Sequence, residues 1–259
     1  MEAQPTNVPS PLWLAIERQR AFWEMCEFMA AGPVLRLAPR GAGLPVLVLP
    51  GFLADDDSTA AMRHYLWWLG HSVNPWRLGA NLGPTDAILT GMADRVHELA
   101  SLHGCRVSLV GVSLGGLFAR EIARRTPESV RQVITLGSPF RIINRSQSNL
   151  SAVFDALSHL HVDTSRFSVW NLPRQPLPVP ATAIYTKTDG VVDWQTCLEE
   201  PSSVAENIEV VGSHSGLAHL PSALYAVADR LAQPENSWRG FVPPLLLRHL
   251  YPAVRKRRD

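Results

Sequence analysis

Apolar and β-branched residues gather along this chain in short runs, separated by longer stretches in which apolar residues recur every three or four positions. Residues 44–50, 107–110, 130–136, 181–186 and 207–211 are runs of the first kind, with a weaker one at 71–76. Each has the length and composition of a short strand buried on both faces. Residues 60–70, 86–103, 115–126 and 221–232 carry the helical period, and the second of these ends at Gly104, a residue suited to a left-handed helix stop. Strands alternating with helices predict an α/β fold with a mostly parallel central sheet flanked by helices. Residues 11–31 show the period again through Leu12, Ile16, Trp23, Cys26 and Ala30. That pattern predicts an amphipathic N-terminal helix packed on the domain, with its tryptophans Trp13 and Trp23 in the contact. Asp55, Asp56, Asp57 and Ser58 mark the start of the helix that follows.

Composition adjusts this picture only a little. The 259 residues are 46% hydrophobic and 18% charged, enough to build one sizeable core without staples. No repeat, low-complexity tract or linker divides the chain, and the prolines at 173, 176, 178 and 180 predict a stiff loop, so residues 1–259 read as a single domain. A formal net charge of +1 gives no broad field to attract nucleic acid or acidic substrates. Cys26, Cys105 and Cys197 match no zinc pattern and read as buried free thiols. No metal and no cofactor is expected. Glu17, Arg18 and Arg20 interrupt the first apolar stretch, and no run approaches a membrane span, so a cytoplasmic protein is expected.

The candidate chemistry centres on Gly111-Val-Ser113-Leu-Gly115, which lies where a predicted strand passes into a predicted helix. With 17 glycines in the chain, the bare pattern arises by chance in roughly one chain of eleven, so its weight comes from that context. A serine hydroxyl is a poor nucleophile unless a tight turn presents it beside a base and near donors for a developing oxyanion. A carboxylate and a histidine follow in the order such an elbow requires, each just past a predicted strand. Asp189 is preferred as the acid because it is nearer its strand end and is followed by Gly190, which would permit a sharp turn; Asp193 is the alternative. His214 is preferred as the base because it opens its loop, with His219 as the alternative. Oxyanion donors are expected at the backbone N–H of Leu114, next after the serine, and of Phe52, in the loop after residues 44–50.

Pro50-Gly51-Phe52, Gly111-Val-Ser113-Leu-Gly115-Gly, Thr188-Asp189-Gly-Val-Val and Ser213-His214-Ser-Gly-Leu stand in that order along the chain. On these motifs the sequence resembles the α/β-hydrolase superfamily, its lipases and esterases especially, from about residue 44 to residue 232. The resemblance implies nucleophile Ser113, base His214, acid Asp189 and an oxyanion hole at Phe52 and Leu114. It also implies a small helical lid-like insertion, for which residues 138–180 are the candidate; within it, residues 148–160 are amphipathic at helical spacing and predict either a roof over an apolar acyl pocket or an ordinary packing helix. The loop after residues 44–50 lacks the extended glycine run of some esterases.

The function these features imply is hydrolysis of a small hydrophobic ester or lipid through an acyl-enzyme. An acyltransferase would use the same residues, and a non-catalytic lipid-binding or scaffold protein would use the same fold. Residues 240–259 combine an apolar stretch with the basic end Arg255-Lys-Arg-Arg258. They predict either peripheral contact with an anionic membrane or a packed stretch with a solvated terminus.

Overall fold

The structure, a computed structural model, describes residues 8–169, 175–200, 202–235 and 237–252. Six strands form its centre: β1 (Pro45–Leu49), β2 (Ser72–Pro75), β3 (Val107–Val112), β4 (Val130–Leu136), β5 (Ala181–Thr186) and β6 (Ala205–Val210). They make one sheet in the order β2-β1-β3-β4-β5-β6, and every pairing is parallel. Parallel strands need crossovers, and helices α4 (Ala60–Trp68), α5 (Asp86–His103), α6 (Leu114–Arg125) and α8 (Pro221–Ala232) cover the two faces.

The continuous apolar runs follow from this sandwich. In β1, Val46 and Val48 enter one core with Met62 and Leu66 of α4 and Leu224 and Val227 of α8. Leu47 and Leu49 enter the other core, with Met92 and Val96 of α5 and Leu117 and Phe118 of α6. A strand buried on both sides has no polar face to alternate with. The helix ends are equally local in origin. Thr85 accepts the Ile88 N–H at 3.2 Å to begin α5, and Gly104 closes it at φ 62°.

Sheet order also places the site. β1 has β2 on one side and β3 on the other, so the connections leaving them turn opposite ways and open a crevice at their carboxyl ends. Phe52 lies in the loop after β1, and Ser113 lies directly after β3.

Several expectations are corrected. The N-terminal segment is three helices, α1 (Pro11–Ala15), α2 (Glu17–Ala30) and α3 (Gly32–Leu35), with the first break at Ile16. Only part of the expected apolar face forms the contact: Leu12 is 66% and Trp23 65% exposed and Trp13 is half-buried, whereas Phe28 of α2 and Val34 and Leu35 of α3 pack on the core, and Glu17 and Glu24 are the buried residues of α2. The helix expected at 148–160 is only α7 (Ser151–Ala156), followed by a 3-10 turn at Ser158–Leu160. Cys197 is buried, but Cys26 and Cys105 are half-buried. In the tail, Phe241, Leu247 and Tyr251 belong to the core, and the Tyr251 hydroxyl donates to the Ser222 carbonyl at 2.8 Å, whereas Leu245 and Leu246 face solvent. Pro173 and the basic end at 255–258 lie outside the described residues. Among the described residues no helix is long and apolar enough to cross a membrane.

Candidate active site

Ser113 joins β3 to α6 at φ 49° and ψ −120°, a backbone region that costs a residue with a side chain about 1–3 kcal/mol. Two backbone bonds hold it there: its N–H donates to the Leu136 carbonyl at 2.8 Å, and its carbonyl accepts the Gly116 N–H at 3.0 Å. The flanking glycines let the helix pass this close to the sheet. A Cβ at Gly111 would overlap the backbone of Gly116, and one at Gly115 would overlap the carbonyls of Leu49 and Pro50.

From the serine an unbroken chain of hydrogen bonds runs inward. The Ser113 hydroxyl meets His214 Nε2 at 3.0 Å, and His214 Nδ1 meets Asp189 Oδ2 at 2.7 Å. Asp189 is held in turn through its other oxygen, Oδ1, which accepts the N–H groups of Val191 and Val192, both at 2.8 Å. Burial of His214 disfavours the imidazolium, but the charge and hydrogen bond of Asp189, with the charge of Glu17, outweigh it and raise the pKa above the ordinary histidine value.

The alternative residues are engaged elsewhere. Asp193 caps the turn Trp194–Cys197 by accepting the Gln195 N–H at 3.1 Å, and its Oδ2 accepts from Gln147 Nε2 at 3.2 Å. His219 Nε2 lies 2.9 Å from the carbonyl of Ala21. Gly190 has a different reason from the one expected. Its backbone is not left-handed, and a Cβ there would lie 2.6 Å from Leu14 N, so the glycine admits α1.

Phe52 and Leu114, the residues expected to supply oxyanion donors, line the same pocket as Ser113. Leu114 is the first residue of α6, so its N–H has no helical acceptor. Gly51 brings the β1 loop against the serine, since a Cβ there would lie 3.3 Å from Ser113 Cβ. Asn81, which no sequence pattern marks, fixes this loop: its carbonyl accepts the Leu53 N–H, and its Nδ2 donates to the Pro50 carbonyl, each at 2.8 Å. Leu53 takes φ 61°. Among the described residues neither the Phe52 nor the Leu114 N–H donates a hydrogen bond.

Around Ser113 lies an apolar cavity of about 60 Å³ walled by Leu114, Leu117, Ile142, Leu150, Phe154 and Val192. The Phe154 ring from α7 closes it, 5.3 Å from the Phe52 ring and 4.5 Å from the His161 ring. A larger cavity of about 370 Å³ lies at the amino ends of β3 to β6, between Arg131, Pro180 and Trp238, away from all of this chemistry.

No sequence pattern marks the polar residues of α2 as part of the site. Arg20 donates to the carbonyl and hydroxyl of Thr188, beside Asp189, at 2.7 and 2.8 Å. Glu24 accepts from the N–H of Ser213 at 2.6 Å and from its hydroxyl, and Glu17 accepts the Ser215 N–H at 2.8 Å. The helix therefore grips the loops that carry both Asp189 and His214.

No family model and no curated protein matches the sequence. Solved structures do match in shape. The chain is similar to lipase B of Aspergillus fumigatus with TM-score 0.57 and 18% identity, over 80% of this chain; it spans only 59% of that lipase. It is similar to a metagenome-derived lipolytic enzyme of the LipS and LipT pair, with TM-score 0.55 and 14% identity, over 75% of this chain and 94% of the other. The thioesterase domain of the curacin biosynthetic pathway follows with TM-score 0.51 and 16% identity, over 73% and 92%. With its parallel sheet, strand order and these neighbours, the chain has the α/β-hydrolase fold.

Proposed function

We propose that this protein hydrolyses carboxylic esters of hydrophobic acids through an acyl-enzyme on Ser113. The observation that carries the reading is the hydrogen-bonded chain Ser113–His214–Asp189, which ends on a serine held in a strained turn. His214 Nε2 takes the hydroxyl proton as Ser113 Oγ attacks the ester carbonyl carbon. The negative charge that develops on the carbonyl oxygen is met by the N–H groups of Phe52 and Leu114. The bond to the alcohol oxygen then breaks, and the imidazolium donates its proton to that leaving group. Water, deprotonated by the same nitrogen, attacks the acyl-enzyme, releasing the acid and restoring the serine. Asp189 holds the Nδ1–H throughout and favours the imidazolium by its charge.

The apolar wall of Leu114, Leu117 and Phe154 favours a hydrocarbon acyl group, and about 60 Å³ of space favours a short one while Phe154 stays in place. A fluorophosphonate probe tests the chemistry directly. The wild type should be labelled at Ser113 and should hydrolyse short p-nitrophenyl esters, and Ser113→Ala should do neither. A folded wild type that is not labelled would return the chain to the class of non-catalytic binding proteins.

A further inference from the structure

Beside the imidazole lies a second carboxylate that ester hydrolysis as described does not use. Glu17, the first residue of α2, is buried. Its Oε1 bonds the N–H of Ser215, next in the chain to His214. Its Oε2 lies 2.8 Å from where a Cβ would stand at Gly190, next in the chain to Asp189. Among the described residues that oxygen has no hydrogen-bond donor, and the nearest ion-pair partner is Arg20 at 4.0 Å. A desolvated, half-satisfied carboxylate opposes folding, so its presence here needs a reason other than stability.

The titratable and charged groups facing the imidazole are Asp189 and Glu17; those facing Glu17 are His214, Asp189 and Arg20. Burial pushes the Glu17 carboxyl up, while the Ser215 N–H, His214 and Arg20 favour its charge against Asp189. We propose that Glu17 is a positioning residue for the base: its ionised carboxylate fixes the loop of His214 through Ser215 and stabilises the imidazolium that forms during acyl transfer. The proposal rests on the reading of Ser113, His214 and Asp189 as a catalytic chain. Glu24, two turns along, anchors Ser213 and has no such electrostatic part.

Glu17→Gln keeps the side-chain length and an acceptor for Ser215 but removes the charge. With p-nitrophenyl acetate, the alkaline plateau of kcat/KM should fall and the midpoint of its acid limb should move down, the two by matching amounts since one pKa unit is a tenfold change. The midpoint moves down because the imidazolium loses an attractive neighbour. The Tm should hold or rise, because a carboxyl whose pKa is raised by folding opposes stability above its unfolded pKa, and glutamine removes that cost. Glu24→Gln should lower the Tm and leave the midpoint in place. Glu17→Asp, which keeps the charge, should keep the midpoint, and it is the second variant to read if the glutamine chain does not fold.

A Glu17→Gln enzyme with wild-type plateau and midpoint overturns the proposal. So does a lowered Tm with an unmoved midpoint, an equal midpoint shift in Glu24→Gln, or a Glu17→Asp midpoint displaced as far as that of Glu17→Gln. Labelling by the fluorophosphonate separates the two levels: an unlabelled wild type overturns the catalytic reading together with this proposal, and a labelled wild type leaves only the role of Glu17 at stake.

Discussion

Replacing Ser113 by alanine and by glycine removes the same hydroxyl and separates the strain of the elbow from its chemistry. The residue sits at φ 49° and ψ −120°. Alanine keeps the Cβ that makes this region unfavourable by about 1–3 kcal/mol, whereas glycine adopts it freely. Against that gain, glycine loses more backbone freedom on folding, worth about 0.5–1 kcal/mol at an ordinary position. The difference leaves Ser113→Gly more stable than Ser113→Ala by about 0.5–2 kcal/mol. In a chain of this size a kilocalorie moves Tm by about 2–4 °C, so glycine should melt roughly 1–8 °C above alanine. The assay is parallel thermal and urea unfolding of the two variants, with equal m-values required so that the midpoints compare stability alone. The sign decides the matter. A glycine variant that melts below the alanine variant would show that the elbow stores no strain, and that the serine needs some other explanation for its presentation at the end of β3.

Further outcomes follow from the same geometry. Because Asp189 and Glu17 outweigh burial at His214, kcat/KM should fall on acidification with a midpoint above the ordinary value of 6.5; a limb at or below 6.5 would contradict that balance. Asp189→Asn leaves the side chain's shape but removes the charge that orients the imidazole, and kcat should drop on the order of 10⁴-fold in ester hydrolysis. Phe154→Ala removes the ring that closes the cavity against Phe52, so longer p-nitrophenyl esters should gain kcat/KM relative to the acetate; an unchanged chain-length profile in a folded variant refutes the roof. A bilayer contact through the tail predicts that Leu245→Ser with Leu246→Ser reduces co-sedimentation with anionic vesicles, and equal sedimentation removes the idea. Truncation after residue 240 is a poor test of it, because Phe241, Leu247 and Tyr251 would leave the core.

What the sequence made legible is what short-range chemistry decides. Residues 86–103 and 221–232 are helical over just those bounds, because Thr85, Gly104 and Pro221 mark the ends locally. The run at 44–50 became a strand because a sheet covered on both faces asks for continuous apolar character, and 130–136, 181–186 and 207–211 followed from their β-branched residues. Residues 148–160 show the opposite case. Their periodicity is helical, but the Asn149 N–H donates to the Val191 carbonyl at 2.9 Å and Ser148 bridges to Val192, so the first turn is taken by the loop after β5. A partner more than forty residues away outbids local propensity, and the helix begins only at Ser151.

The N-terminal helix fails for a related but sharper reason. Amphipathicity assumes that the apolar stripe faces inward, and α2 departs from the rule by burying Glu17 and Glu24, one heptad apart, beside Phe28 while Trp23 faces solvent. The departure is stable only because backbone donors in a remote loop, Ser213 and Ser215, meet those carboxylates. A faint signal existed: Gly190, Gly212 and Gly216 flank the acid and the base, yet none has left-handed backbone, so turn chemistry does not account for them. Close approach does, since a Cβ at any of the three would crowd Glu17 or Glu24. Apolar burial would press a helix against these loops without fixing its register. Directional bonds from Arg20 to Thr188, from Ser213 to Glu24 and from Ser215 to Glu17 do fix it, and so tie the placement of Asp189 and His214 to a single rigid element outside the sheet.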